Sequence, residues 1–375
     1  MPSYRGMTFL RRRSLLRPAT VLVGVGALSV AFAIGVYPGL GRETRTHSVG
    51  DNLVVSPGAV PGEVLKAGAH PSPRRHDSRA DRHPRKQVKP IPRPASASTS
   101  SCSGASNAPG GRDPWGGCWP GPDNTGVLAG TVLMPYTGKV LSNGACMITT
   151  NTVIVGKTLS CQIIVISGNL TLEDSSVTGE VYNHGSGSVL IKNSTINGGS
   201  DHTETVLGSH LTIEGSDLYG NQHEVYCGSN CTVENSWLHD THNFGRAGHE
   251  DGFLSTGGGD DYNLQHNSVD CVGLCTGDIT FLGSVSDAIV NKNLFVAPHV
   301  AAFCLYPSSP SPSIVNQMTI TNNVFQRGSS GKCAYYGPTY GWNMPNNNPG
   351  TSGYRNVWSG NVWDDGKVLE AGRSG

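Results

Sequence analysis

Residues 211–218 read Leu-Thr-Ile-Glu-Gly-Ser-Asp-Leu and residues 231–238 read Cys-Thr-Val-Glu-Asn-Ser-Trp-Leu. In each, an apolar anchor (Ile213, Val233) is followed three residues later by Ser and five residues later by Leu. The same spacing aligns Ile154, Leu172, Ile191, Ile213, Val233, Leu264, Val290, Ile320 and Trp358 in one column. A second apolar column, five residues on, holds Leu159, Val177, Ile196, Leu218, Leu238, Val269, Phe295, Phe325 and Trp363. Between them, three residues after each anchor, stand Lys157, Ser175, Ser194, Ser216, Ser236, Asn267, Asn293, Asn323 and Asn361, all polar. Each copy therefore reads strand, polar corner, strand. Five residues are too few to return the chain as a hairpin, and the apolar positions on both sides of the corner must face one interior. An all-β solenoid satisfies both conditions, its coils stacked about 4.8 Å apart into parallel sheets. The polar corners then form ladders of Ser and Asn, and Asn and Gly tolerate the left-handed backbone that the bend requires.

This repeat with its Asn corners, over residues 130–366, resembles the right-handed parallel β-helix of the pectate-lyase-like superfamily, in its secreted bacterial type. The resemblance implies that fold and a polysaccharide as substrate. Successive anchors are 18, 19, 22 and 20 residues apart and then 31, 26, 30 and 38, so long loops are expected in the C-terminal half. Such insertions gather on one face and make it the binding face.

Composition agrees with a turn-rich β protein: 50 Gly, 23 Pro and 7% aromatics in 375 residues. The net charge of zero conceals an asymmetry. Residues 1–125 hold 17 Lys+Arg against 7 Asp+Glu, and residues 126–375 hold 10 against 20. Residues 1–41 combine Arg5, Arg11, Arg12, Arg13 and Arg17 with an apolar run, as in a signal peptide or signal anchor. Residues 42–125, rich in Pro, Arg and Ser, lack sustained periodicity and are read as a disordered linker, leaving 126–375 as the β-helix domain. Ten cysteines fall into near-neighbour couples (Cys102 and Cys118, Cys146 and Cys161, Cys227 and Cys231, Cys271 and Cys275, Cys304 and Cys333), which predicts disulfides and export.

The titratable residues concentrate between Cys231 and Leu254: His239, His242, His249, Arg246, Asp240, Glu250 and Asp251. Counted back from the anchors, Glu204 and Glu224 occupy matching places, and Asp251 and Asp278 begin strands of the same kind. These four acids are expected to form one column, suited to clasping Ca²⁺ or to paired-carboxylate catalysis. His202, His223 and His249 suggest a parallel imidazole column. His249-Glu-Asp251-Gly252 resembles a His-x-Asp-Gly element of polysaccharide-processing β-helices, which implies His249 and Asp251 as a catalytic pair, with Arg246, Glu224 and His223 as further candidates. Tyr336, Tyr340 and Trp342 offer stacking faces for sugar rings, while Trp237 is assigned to packing.

These features predict a secreted or cell-surface, monomeric protein that cleaves a polysaccharide or cell-wall glycan as a lyase or hydrolase, with Ca²⁺ or no cofactor. The alternative is a non-catalytic glycan-binding or envelope protein. The acidic domain is a poor partner for polyuronates without metal ions. No phosphate loop, dinucleotide fingerprint or zinc tetrad is present, nucleic acid is not expected, and membrane association would run only through an uncleaved N-terminal segment.

Overall fold

A computed structural model describes residues 101–199, 203–242, 249–256, 259–297, 300–307, 315–340 and 355–370. The expected signal segment, the linker up to residue 100, and stretches of the expected C-terminal loops (243–248, 298–299, 308–314 and 341–354) lie outside them. No described helix is long and apolar enough to cross a membrane.

The described chain coils through three long parallel sheets, visited in the same order on most turns, with a two-stranded parallel sheet of Val285–Ser286 and Val315–Asn316 added in the C-terminal half. Sheet I has ten strands beginning with Met134–Pro135, sheet II eight beginning with Ala145–Ile148, and sheet III nine beginning with Thr152–Val155. This is a parallel β-helix. Both apolar columns appear residue for residue. The anchors are paired in register along sheet III from Ile154 to Trp358. The second column runs along sheet I from Leu159 to Trp363. Most of these side chains are fully buried, each worth roughly 1.5–3 kcal/mol of apolar transfer.

The corner between sheets III and I has two layers. The residue two after each anchor takes positive φ, from Asp174 (47°) and Asn193 (45°) to His266 (52°), Lys292 (55°) and Asn322 (58°). The next residue points inward and forms the ladder. Ser194 Oγ accepts the Ser175 N–H at 3.1 Å, and Asn293 Oδ1 accepts the Asn267 N–H at 3.0 Å. The Asn rungs do more than the Ser rungs. Their Nδ2 groups also donate to the anchor carbonyl of the previous coil, as Asn293 does to Leu264 and Asn323 to Val290, both at 2.9 Å. Backbone groups left over at the bend are thereby satisfied in the buried interior.

All five expected disulfides are formed, which fits an oxidising compartment. Residues 101–125 fall in the stretch expected as linker, yet they pack against the solenoid as a strap. Trp119 is fully buried with Leu294 and Val324, Asn107 Nδ2 donates to the Asp364 carbonyl, and Gly126 N donates to the Gly215 carbonyl. The expected Cys102–Cys118 disulfide closes a loop here, and what the composition of this stretch hid is the single buried Trp119.

Candidate functional site

Sheet II carries most of the predicted site residues, and its register sorts them into two rows. Glu204 pairs with His223, His223 with Asp251, and Asp251 with Gly277. Val206, Val225, Phe253 and Ile279 are likewise partners, so Thr205, Glu224, Gly252 and Asp278 share the row between. The four acids therefore do not form the single column expected from counting back. The turn Gly228-Ser229-Asn230 before Val233 is one residue longer than Ser209-His210 before Ile213. One extra residue shifts the count by one place, so His223 rather than Glu224 stands in Glu204's row.

The row of Thr205, Glu224, Gly252 and Asp278 faces the interior. Glu224 is fully buried, its Oε2 accepting from Thr205 Oγ1 at 2.6 Å and its Oε1 from Asn221 N at 3.3 Å. Burial pushes its carboxyl up to about 8, against the opposing hydrogen bonds from Thr205, Asn221 and Gly220. Asp278, also fully buried, accepts from Cys271 N at 3.2 Å, and burial together with nearby Asp270 raises it well above the usual carboxylate range. A Cβ on Gly252 would stand 2.3 Å from Val269 Cγ1 and 2.9 Å from the Asp278 carbonyl oxygen, so only glycine fits between these two acids.

The other row has a different character. Asp251 Oδ2 lies 3.3 Å from His223 Nδ1, and Asp251 Oδ1 accepts from Gly277 N at 3.3 Å. Burial raises the Asp251 carboxyl, opposed by the His223 bond and charge, the Thr280 hydroxyl and the His249 charge. Glu204, half-buried, accepts from the Thr203 hydroxyl. Farther along the same strands runs a row of Tyr182, Leu207, Tyr226, Leu254, Thr280 and Tyr306. The next coil continues it through a bridge of Leu305 with Thr339, and Tyr340 stacks on Tyr306 at 4.6 Å and 17°. Phe303 contacts Tyr306, Tyr336 and Tyr340 with centroids 5.0–5.8 Å apart, and Tyr335 and Tyr336 are exposed.

Asp251 thus meets His223 of the neighbouring coil. His249 is exposed just before the strand, where its carbonyl accepts from Gln222 Nε2. Arg246, Trp342 and His202 lie outside the described residues. His239 belongs to sheet I, where its ring nitrogens face Asp217 Oδ1 (2.7 Å) and Asp240 Oδ2 (2.9 Å) and Trp237 stacks on it at 3.5 Å. Thr280 and Phe303 were not foreseen. Both precede or follow irregular spacing, so only the register brings them beside Asp251 and Tyr340.

Among the described residues, one group places three possible ligand atoms within 4.8 Å of one another: Glu250, Cys271 and Cys275. Those sulfurs are bonded to each other, so the group is a carboxylate beside a disulfide. Glu204, Glu224, Asp251 and Asp278 make no such group, as their division between two rows requires. No known family model, curated protein or solved structure matches this chain.

Proposed function

We propose that this chain is an extracellular carbohydrate-active protein that cleaves a polysaccharide on the outer face of sheet II, a pectate-lyase-like β-helix adapted to hydrolysis. The observation that carries this reading is the sharing of one row by Glu204, His223 and Asp251, on the sheet where Tyr306 and Tyr340 stack. Aromatic faces hold sugar rings, and carboxylates on either side of a glycosidic bond supply the acid and the base. Glu204 and Asp251 are two strand spacings apart, about 9.6 Å at the backbone. That separation exceeds the about 5 Å of retaining enzymes and lies near the about 6.5–9.5 Å of inverting ones, which leave room for a water. Asp251, whose proton is favoured by burial, is the acid; Glu204 is the base; His223 holds Asp251 through Nδ1. The described strands of sheet II contain no Lys or Arg to neutralise a uronate, which disfavours elimination. The near-complete burial of Asp251, 1% exposed, favours a second reading, a glycan-binding protein without turnover.

The test is release of reducing ends from a panel of neutral polysaccharides, with product anomers followed by NMR. Asp251→Asn and Glu204→Gln are expected to lower turnover by about 10²–10⁴-fold, the usual worth of a general acid or base, and the first product to be inverted. Binding without turnover in the unmodified chain would favour the second reading.

A further inference from the structure

A second polar site lies away from sheet II, where the strap crosses the corner between sheets III and I. A cavity of about 410 Å³ is bounded there by Asp113 and Trp115 of the strap and by Glu234, Asn235, His266 and Lys292 of three successive coils. We propose that this cavity is a binding site for a neutral sugar residue, separate from the sheet II site.

Its frame is fixed. Asp113 Oδ1 accepts from Trp115 N and Gly117 N, at 2.8 and 2.9 Å, and Asp113 Oδ2 meets His266 Nε2 at 3.1 Å. His266 Nδ1 meets Asn235 Oδ1 at 2.8 Å, and Trp119 stacks on the imidazole at 5.5 Å. The Cys102–Cys118 disulfide closes the loop that carries Trp115. These contacts occupy Asp113 and His266, which position the wall. The groups turned to a ligand are others. Lys292 Nζ lies over the Trp115 ring, 5.0 Å from its centroid, a cation–π contact, and no described carboxylate pairs with it. Glu234 uses Oε1 to accept from Asn263 Nδ2, which leaves Oε2 as an acceptor; Trp115 is 42% exposed.

The charges select the ligand class. An anion drawn to Lys292 would also face Glu234, and a cation drawn to Glu234 would face Lys292. A hydroxyl both donates and accepts, so neighbouring hydroxyls on one ring can accept from Lys292 and donate to Glu234 at once. The apolar face of the same ring matches the exposed indole of Trp115. A neutral, hydroxyl-rich ring satisfies all three groups.

Titration of the full chain with neutral oligosaccharides of glucose, xylose and mannose, read by tryptophan fluorescence, tests the proposal. Glucuronate and glucosamine oligomers serve as charged comparisons. The expected result is a saturable change with at least one neutral series, weakened about tenfold by Trp115→Ala, the loss of one stacked ring. Glu234→Gln should weaken it as well, and Asp251→Asn should leave it unchanged. Trp115→Ala could loosen the strap, so Glu234→Gln, with the circular dichroism of the unmodified protein, is the deciding variant. The proposal is overturned if no neutral oligosaccharide binds, if a charged series binds better, if Glu234→Gln binds as the unmodified protein does, or if Asp251→Asn abolishes the signal.

Discussion

His223 and Glu224 are neighbours in the chain and belong to opposite sides of one strand. His223 stands in a row with Glu204 and Asp251 on the sheet that carries the tyrosines. Glu224 stands in a row with Gly252 and Asp278, enclosed by core. Both rows hold acids whose carboxyls are raised by burial, so a perturbed carboxylate alone does not distinguish a chemical group from a structural one. The difference lies in the partners. Both acids meet a hydroxyl and a backbone N–H, but Asp251 alone also meets an imidazole, that of His223.

Gly252→Val should cost the most, about 3 kcal/mol or more, because its side chain would displace Val269 or the Asp278 carbonyl; a melting temperature within a degree of the parent would show that this row is not packed as described. Glu224→Gln acts through pH. The folded carboxyl titrates at about 8 against a reference of 4.5, so the native state keeps a proton that the unfolded chain releases. Its contribution is complete below the unfolded value and is lost as pH rises through the folded one, at up to about 1.4 kcal/mol per pH unit. Denaturant titrations between pH 5 and 8 should show a shallower loss of stability in Glu224→Gln than in the parent. Thr205→Val removes the hydroxyl that donates to Glu224 and should cost about 1 kcal/mol, with the Glu224 carboxyl raised further. Beside Phe303, Tyr336→Ala should leave the melting temperature almost unchanged and weaken glycan binding by about 0.5–1.5 kcal/mol, measured by calorimetry.

Much of the fold was legible because the repeat acts locally. Ile213 and Val233, with their corners at Ser216 and Ser236, impose the same bend in every coil, so one spacing aligned two sheets over nine coils. The disulfides were legible for the same reason, being short-range or, for Cys304 and Cys333, in matching positions of adjacent coils. The sheet II rows were not, because the turn between sheets II and III varies in length. Glu204 lies nine residues before its anchor Ile213, but its true partner His223 lies ten before Val233, so a count of nine from each anchor picks Glu224 instead and lands in the neighbouring row. Asp251 was reached through its His-x-Asp-Gly string, but its partner proved to be His223, a contact between coils that no string within one coil can show. The strap was missed because Trp119 is buried by residues 175 and 205 positions away, Leu294 and Val324.

The most direct test sets the two rows against each other: turnover and melting temperature of Asp251→Asn and Glu224→Gln, side by side on the same neutral polysaccharide. Asp251→Asn should lose turnover by about 10²–10⁴-fold and keep its melting temperature, while Glu224→Gln keeps turnover and gains stability at pH 8. Full turnover in Asp251→Asn, or its loss in a folded Glu224→Gln, would contradict the division of sheet II into a chemical row and a structural one.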